Sequence, residues 1–383
     1  MEIPCFTSLP REDLTPLDFR IEKSDSCIDP THIYLYMRCQ IIQTAPATTE
    51  ETIEFSPVNN LGYSIFQSVD TFINDQKITQ DHVLYPWLAY LVCLTQFSEQ
   101  YRKTALQTSL WFPDLYGTMD TARGDNTGAV KRAEWTQNTF ELYSKVITDY
   151  IQLPRLLPSQ TELLLRFTPA QPSNYLMAAK GTFKLQISDA RLYVRKVYLA
   201  EPLPKILSYP VSRYQVRAKT VNAGEQNVNW VPFSGCRPRR LFFVQISQKA
   251  YNGDITRNPF NLQTFDLKKI QAYFNELSLP LNTATDYAEN NAARCYFNTI
   301  KAIDNSLAWN VTINEYKYGY FIYAVDLTND QNANAEYMNA TKTGSVRLSV
   351  DYRIPLKEAI TMICFAEFDD TLIIDEFGNP KWS

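Results

Sequence analysis

The sequence predicts an all-β protein built from two similar domains in tandem. Aromatic residues are abundant, with 24 Tyr and 21 Phe in 383 residues, and such residues favour strands and interfaces. Short stretches of period-two alternation recur along the chain, separated by loops rich in turn-forming residues. One pattern occurs twice, at residues 57–78 and 259–279: Pro, an apolar residue and Asn, and later an aromatic residue, an apolar residue, Asn and an acid. Together these observations indicate a duplicated β domain.

The first half opens with a strand and the first copy of the repeated pattern. Residues 33–41 alternate apolar and polar side chains, which predicts a strand with one buried face. Residues 64–73 predict a strand that turns at Asn74 and Asp75 and returns from Lys77. Asn and Asp suit this turn because they tolerate positive φ and bond to nearby backbone.

A helix and a long loop follow the first hairpin. Apolar and aromatic residues at helical spacing predict a helix over 85–104 that packs on the core. Residues 112–130 are rich in turn formers and are predicted to form a loop. The remaining strands of this half are predicted at 140–149, at 161–168, and as two strands within 182–199 that meet near Ser188 and Asp189.

The second half repeats this order of elements. Strands are predicted at 214–218 and 240–246, and the second hairpin turns at Asn275 and Glu276. A helix within 287–303 takes the place of the earlier helix. The last three strands, at 319–327, 345–353 and 360–375, correspond in order to 140–149, 161–168 and 182–199.

The domain organisation follows from these elements. We predict an N-terminal arm at 1–16, a first domain at 17–200, a proline-rich linker at 201–210 and a second domain at 211–383. The arm contains three prolines and either docks on a neighbouring subunit or frays. About eight strands per half, with long loops and an inserted helix, favour a jelly roll over a seven-stranded immunoglobulin-like domain. The predicted fold is therefore two tandem eight-stranded jelly rolls with short helices inserted in loops.

Charge and cysteine content limit the classes of function. The net charge is −4, whereas proteins that wrap nucleic acid by neutralising phosphates are usually basic, so sequence-specific nucleic-acid binding is not expected. Seven Cys without a CxxC pair are typical of reduced, buried thiols in an intracellular compartment. The first residues lack the pattern of a signal peptide, and no apolar run approaches the roughly 20 residues that span a bilayer.

The sequence predicts no catalytic, cofactor or metal site. His32 and His82 have no His, Cys or carboxylate at metal-ligand spacing. Asp326 and Asp330 flank a short turn but supply too few oxygen ligands for calcium. The acids at 369–370 are adjacent on a strand and so point to opposite faces, which suits a solvated strand edge better than acid–base chemistry.

The chain resembles the double jelly-roll major capsid (hexon-type) proteins of Polinton/Maverick elements, adintovirus-like viruses and related small double-stranded DNA viruses. The stretches that carry this resemblance are 33–37, 57–60, 69–70, 73–74, 85–86, 89–91, 128–132, 190–197, 250–253, 258–261, 319–320, 326–328 and 366–368. The chain departs from the family where an Asn-Gly turn is expected, since Asp75 and Glu276 follow the two Asn residues. The region 282–314 also matches poorly, which leaves its surface role open.

The resemblance implies a structural role in a virion. Members of the family form homotrimers whose six rolls make a pseudo-hexagonal capsomer, and capsomers tile an icosahedral shell around double-stranded DNA. It implies contacts with neighbouring capsomers, with a penton-type single jelly-roll protein at the vertices and with minor or cement proteins. It also implies synthesis in the host cytosol and assembly in the nucleus, without a cofactor.

Short basic clusters remain to be placed in this scheme. They are either ordinary surface charge, or residues that pair with acids on a neighbouring subunit or face the packaged genome. The residues concerned are Lys131, Arg132, Arg195, Lys196, Arg237, Arg239 and Arg240.

Two other classes of function stay open. A binding protein made of two jelly rolls would carry a saturable carbohydrate or receptor site on a loop face and would not form shells. A glycan hydrolase on the same scaffold would need two inward carboxylates across a cleft. The sequence does not supply such a pair in recognisable form.

Overall fold

The computed structural model describes residues 1–7, 14–44, 54–79, 84–148, 155–201, 203–204, 206–279, 285–286, 292–305, 307–335, 338 and 342–382. Within these ranges β-strands dominate, and the helices lie between them. His82, the second of the two histidines, lies outside the described residues.

The strands of the first half form a jelly roll, called here the first roll. They are β1 Glu2–Pro4, β2 Leu17–Ile21, β3 Cys27–Gln43, β4 Phe55–Pro57, β5 Phe66–Ile73, β6 Gln76–Lys77, β7 Phe140–Lys145, β8 Leu163–Pro169, β9 Leu176–Ala178 and β10 Phe183–Val197. Four of them pair in the order β1-β10-β3-β7, called sheet 1A, and four in the order β2-β8-β5-β6, called sheet 1B. Strands β4 and β9 pair with each other.

The strands of the second half form the second roll. They are β11 Leu207–Val221, β12 Asn227–Cys236, β13 Arg240–Ser247, β14 Leu267–Phe274, β15 Leu277–Leu279, β16 Thr285–Asp286, β17 Tyr323–Asp326, β18 Thr343–Tyr352, β19 Ile360–Ile374 and β20 Pro380–Trp382. Sheet 2A has the order β11-β19-β13-β17, with β20 beside β19, and sheet 2B has the order β12-β18-β14-β15, with β16 beside β14.

The two rolls share one strand order. Sheet 2A matches sheet 1A strand for strand, with β11, β19, β13 and β17 in the places of β1, β10, β3 and β7. Sheet 2B matches sheet 1B in the same way. The predicted fold class, two tandem jelly rolls, is confirmed. The predicted correspondences of the last three strands also hold, because β17, β18 and β19 occupy the positions of β7, β8 and β10.

Helices occur in the connections between strands. They are α1 Leu61–Ser64, α2 Tyr85–Thr95, α3 Glu99–Lys103, α4 Thr127–Trp135, α5 Gln248–Tyr251, α6 Ala293–Ile303 and α7 Ile313–Lys317. The helix predicted over 85–104 is two helices, because Ser98 starts a new one by accepting a hydrogen bond from the amide of Tyr101 at 3.2 Å. The loop predicted over 112–130 is also corrected, since its last residues open α4.

The prediction of two strands within 182–199 is wrong. These residues form one strand, β10, which pairs with β3 along its length and has a β-bulge between Ile187 and Asp189. A bulge adds one residue to a strand without ending the ladder. The exposed Ser188 is that residue, and its hydroxyl donates to the carbonyl of Arg38 at 3.2 Å.

Strands extend into both segments that were predicted to lie outside the domains, the N-terminal arm and the linker. Residues 2–4 of the predicted arm form β1, which pairs with residues 191–193 of β10. Strand β11 begins at Leu207, inside the predicted linker, so Pro210 lies within a sheet. Proline has no backbone N–H to donate to a neighbouring strand. Pro210 is tolerated because β11 is the edge strand of sheet 2A. The division at 200–211 otherwise stays a prediction.

The core of each roll lies between its two sheets. The predicted alternation in β3 is confirmed, since Ile33, Leu35, Met37 and Cys39 are buried while the residues between them are half-buried or exposed. Strands β13 and β17 behave differently, because nearly every residue in them is buried. A strand buried on both faces needs a covering layer outside its own roll.

Candidate functional site at the joint between the two rolls

Helix α2 supplies that covering layer. All of its residues, Tyr85–Thr95, are buried, as expected of a helix that is apolar on every side. Val244 of β13 and Phe365 of β19 line the same small cavity as Trp87 of α2. The indole Nε1 of Trp87 donates a hydrogen bond to the carbonyl of Pro259 at 2.9 Å. A helix of the first roll therefore closes the outer face of sheet 2A.

Aromatic rings interlock across this joint. The ring of Tyr90 on α2 stacks on Phe260 of the second roll, with centroids 4.3 Å apart and planes 6° from parallel. Trp111 packs against the same tyrosine at 5.3 Å, and Trp87 stacks on Tyr251 at 5.4 Å. Burial raises the pKa of Tyr90, so this phenol stays neutral. The contacts make the joint apolar at its centre.

A buried ion pair borders the aromatic centre. Arg132 of α4 lies 2.5 Å from the carboxylate of Asp114, and both side chains are 0% exposed. The Arg132 Nε donates to the carbonyl of Pro57 at 2.7 Å. Asn258 of the second roll donates to Asp114 Oδ2 at 3.1 Å, and the hydroxyl of Tyr320 donates to the Asp114 carbonyl at 2.6 Å. One carboxylate therefore connects both rolls.

The local sequence explains how Arg132 reaches this position. Asn126 caps α4 by accepting from the amide of Ala129, and its amide group donates to Asp114 Oδ1 at 2.9 Å. Gly128 is needed in the first turn, because a Cβ there would lie 2.1 Å from the carbonyl oxygen of Pro113. The helix can then approach the loop closely enough for the arginine to enter the interior.

Arg102 ties the end of α2 to the second roll. Its Nη1 donates to the carbonyls of Cys93 and Leu94 at 3.0 and 2.8 Å, which are among the last carbonyls of the helix. Its Nη2 donates to the carbonyl of Ala308 and to Asn310 Oδ1. Burial lowers the pKa of Arg102, and the acceptors around the guanidinium compensate for its lost hydration.

A cleft of about 500 Å³ lies beside the joint, between α2 and sheet 2A. Two ion pairs line it, Arg239 with Asp369 at 2.7 Å and Arg240 with Glu367 at 3.0 Å. Arg240 also donates to the carbonyl of Ile303 at 2.9 Å. Burial is the largest single influence on the pKa of Arg240 and acts to lower it, but the combined effect of Glu367, Tyr214 and Asp326 raises it. The charges at this cleft are thus engaged within the chain.

The two repeated turns have the same geometry. Asn74 and Asp75 have φ of 45° and 65°, and Asn275 and Glu276 have φ of 47° and 66°. Asn74 Oδ1 accepts from the amide of Glu162 at 2.9 Å. Asn275 Oδ1 accepts from the amide of Ser345, also at 2.9 Å. Each Asn side chain therefore bonds to the chain near the start of the neighbouring strand, β8 or β18.

The basic residues considered from the sequence fall into two groups. Arg195 lies 3.6 Å from Asp29 and is largely exposed, Lys196 donates to Ser24 at 2.8 Å, and Arg237 donates to Asn329 at 3.2 Å. An inter-subunit or genome-facing role for these three stays a prediction.

The other arginines are engaged within the chain. Arg132 and Arg240 are buried, and Arg239 is half-buried beside Asp369. The sequence suggested that these arginines lie on the surface. This prediction is corrected, because each of them pairs with a carboxylate inside the protein. One signal was present in the sequence: Gly128 and Ala129, four and three residues before Arg132, place small residues on its face of α4.

The acids noted in the sequence are also structural. Asp326 Oδ1 accepts from the amide of Thr328 at 2.8 Å, and its Oδ2 accepts from Ala333 at 2.9 Å. Asp370 pairs with Arg213, so the acids at 369–370 are half-buried ion-pair partners and not a solvated edge. Among the residues the structure describes, no group of three or more His, Cys, Asp and Glu is arranged to hold a metal ion.

In the part of the chain that the structure describes, His32 is bound to a neighbouring acid and suggests no site. His32 Nδ1 lies 2.9 Å from a carboxylate oxygen of Asp29, beside the start of the first long strand. Within the described ranges, no helix combines the length and apolar character that crossing a membrane requires.

Comparison with known structures finds the same fold in viral capsid proteins. A chain of the Sputnik virophage, determined by cryo-EM, is 13% identical with a TM-score of 0.73, covering 100% of this chain and 87% of that chain. The faustovirus major capsid protein is 9% identical with a TM-score of 0.59, covering 97% and 89%. The mavirus major capsid protein is 10% identical with a TM-score of 0.57, covering 100% and 89%.

Among curated proteins, the chain is 23% identical to "Uncharacterized protein F54H12.2" of Caenorhabditis elegans over 366 residues, which cover 89% of this chain and 84% of that protein. No family model matches the sequence.

Proposed function

We propose that this chain is a major capsid protein, the structural subunit of an icosahedral shell around a double-stranded DNA genome. The observation that carries the proposal is the joint. Two rolls of identical strand order are held as one body by a buried helix, stacked rings and an ion pair that contacts both rolls. The fold is that of the mavirus and faustovirus major capsid proteins, which supports the proposal.

In this proposal the chain assembles as a homotrimer, which brings six similar rolls into one pseudo-hexagonal capsomer. Closed symmetry limits growth to a defined object, and contacts between capsomers then extend the shell. Its partners are neighbouring capsomers, a penton-type single jelly-roll protein at the vertices and minor or cement proteins. The protein is a virion component, made in the host cytosol and assembled in the nucleus.

The chemistry of the chain supports a structural role. A subunit of a shell has to keep its shape, and the joint between the rolls stacks buried rings and pairs its buried charges. A net charge of −4 suits a shell that leaves the condensation of DNA to other molecules.

Native mass spectrometry of the purified chain tests the proposal. The expected principal species has three times the mass of the 44.2 kDa chain. A stable monomer at every concentration, with no shells formed, would overturn it. A saturable glycan or receptor site on such a monomer would instead support a binding protein.

A further inference from the structure

Sheets 1A and 2A occupy the same place in their rolls but have different surroundings. The outer face of sheet 2A lies under the connection between β6 and β7 of the first roll, which contains α2. The outer face of sheet 1A carries polar and aromatic side chains that are half-buried or exposed. The outer face of sheet 2A is therefore covered by a connection of the chain, whereas the outer face of sheet 1A is open.

The open face of sheet 1A carries a cluster of tyrosines, called here the tyrosine face. It consists of Tyr34 on β3, Tyr143 on β7 and Tyr193 on β10. The Tyr34 and Tyr143 rings are 5.5 Å apart and 19° from parallel, and Tyr193 lies 5.7 Å from Tyr143. Tyr143 is 38% exposed. Tyrosine is enriched at protein interfaces because its ring is apolar and its hydroxyl can bond.

The second roll carries the counterpart of the covering connection. The connection between β15 and β17 contains α6 and α7, and its described part includes residues 292–305 and 307–318. Phe297 is 66% exposed and Leu307 is 75% exposed. By contrast, every residue of α2 in the first roll is buried. The second roll therefore presents apolar side chains where the first roll has already buried its own.

We propose that the tyrosine face of one copy packs against the connection 292–318 of the second roll of another copy. The inference rests on the proposed function, since it names the surfaces that join the trimer. It follows from the joint within the chain, where the equivalent connection covers the equivalent sheet. Such a contact is head-to-tail, and head-to-tail contacts form a ring when the rotation closes. In a ring of three copies, the six rolls would be connected in turn by the joint within each chain and by the proposed contact between chains.

The charges of the two surfaces are compatible with this contact. Arg294 and Lys301 are exposed on α6 on either side of Phe297. Glu141 is exposed beside the tyrosine face and accepts a hydrogen bond from the hydroxyl of Tyr36 at 2.8 Å. Arg38 is exposed on β3 opposite Glu141, so the tyrosine face carries both signs of charge, and the cations of α6 can bond to Glu141 or lie over the tyrosine rings.

Single substitutions on the two surfaces provide the first test. Tyr143→Glu and Phe297→Glu should each raise the protein concentration at which half of the chains are trimeric by about tenfold or more. Analytical ultracentrifugation measures this concentration. Leu277→Glu is the matched control, because Leu277 is an apolar residue 64% exposed on a hairpin outside both surfaces. Circular dichroism and the unfolding temperature of the monomer establish that each variant is folded.

Photo-crosslinking in the otherwise native chain provides the second test. The residue p-benzoylphenylalanine replaces Tyr143, and light and isotopically labelled copies are mixed before irradiation. Crosslinked peptides that join residue 143 of one copy to 292–318 of another support the proposal. A trimeric preparation that crosslinks elsewhere, or variants that remain trimeric like Leu277→Glu, would overturn the proposed surfaces while leaving the capsid function standing. A wild-type chain that is always monomeric would overturn both.

Discussion

Tyr90 of the first roll stacks on Phe260 of the second, with ring centroids 4.3 Å apart and planes 6° from parallel. Phe260 lies in the second copy of the repeated Pro-apolar-Asn pattern, just after Pro259, whose carbonyl accepts from Trp87. The second copy of the repeated pattern therefore lies at the contact between the two rolls. This contact makes the pair of rolls one body instead of two linked ones.

Removing either ring should destabilise the whole chain. Tyr90→Ala and Phe260→Ala should each lower the free energy of unfolding by about 3–5 kcal/mol, because each leaves a cavity in a packed interior. A double-mutant cycle should give a coupling of about 0.5–1.5 kcal/mol between the rings. Phe377→Ala, at a ring 80% exposed, is the control for chemical denaturation. Equal losses of unfolding free energy at all three positions would be inconsistent with a tightly packed joint.

The buried ion pair should be sensitive to the loss of one partner. Asp114→Ala leaves the Arg132 guanidinium in the interior without its carboxylate. We expect a loss of roughly 3–5 kcal/mol in unfolding free energy. Lys103→Ala removes an exposed pair with Glu99 and should cost much less unfolding free energy. Urea titrations that rank the two variants the other way would refute this assignment.

The second residue of each repeated turn should tolerate or prefer glycine. Glu276 has φ of 66°, in the left-handed region of the backbone. This conformation costs more free energy for Glu than for Asn or Asp. Glu276→Gly relieves this strain but also removes the ion pair of Glu276 with Arg347 at 2.8 Å, so the unfolding free energy should rise by about 0.5 kcal/mol. Asp75→Gly should gain less, since Asp already favours this region. Gln76→Gly, in the adjoining strand, should destabilise the fold, and a gain there would contradict the explanation.

Alkaline pH should weaken the fold through its buried thiols. Burial raises the pKa of Cys295 from 9.0 to about 12. Below pH 9 the thiol is neutral in both states, so its contribution is fully present. Between pH 9 and about 12 the unfolded thiol ionises while the folded one does not, and stability falls by about 1.4 kcal/mol per pH unit. Urea titrations across this range should show a shallower fall for Cys295→Ala.

The exposed cysteine supplies the control for this pH dependence. Cys236 is exposed, so Cys236→Ala should leave the slope of stability against pH unchanged. If Cys295→Ala and Cys236→Ala changed the slope equally, burial of Cys295 would not be the cause.

Much of the fold could be predicted because its signals are local. Alternation along β3 and the Asn residues of the two turns act within a few positions of the chain. The bulge at Ser188 and the break at Ser98 were not predicted, because a bulge needs the partner strand and a cap needs backbone geometry. The repeat predicted the duplication, and the strand order of the sheets confirms the two rolls.

The joint was largely hidden from the sequence. The spacing of aromatic residues in α2 predicted a core contact, but not that the contact belongs to the other roll. Arg102 looks like a surface cation in sequence. The small residues before Arg132 indicate that its helix approaches other elements closely, but nothing local indicates the carbonyls and the carboxylate that bind the two arginines. Such partners come from distant positions, so only the folded chain identifies these residues as structural.

Negative-stain electron microscopy of the purified chain tests the central claim most directly. Two rolls fixed by the Tyr90–Phe260 joint and repeated three times should give class averages of a six-lobed, pseudo-hexagonal particle. Two-lobed particles with a variable distance or angle between the lobes, at every concentration examined, would contradict both the rigid joint and the trimer.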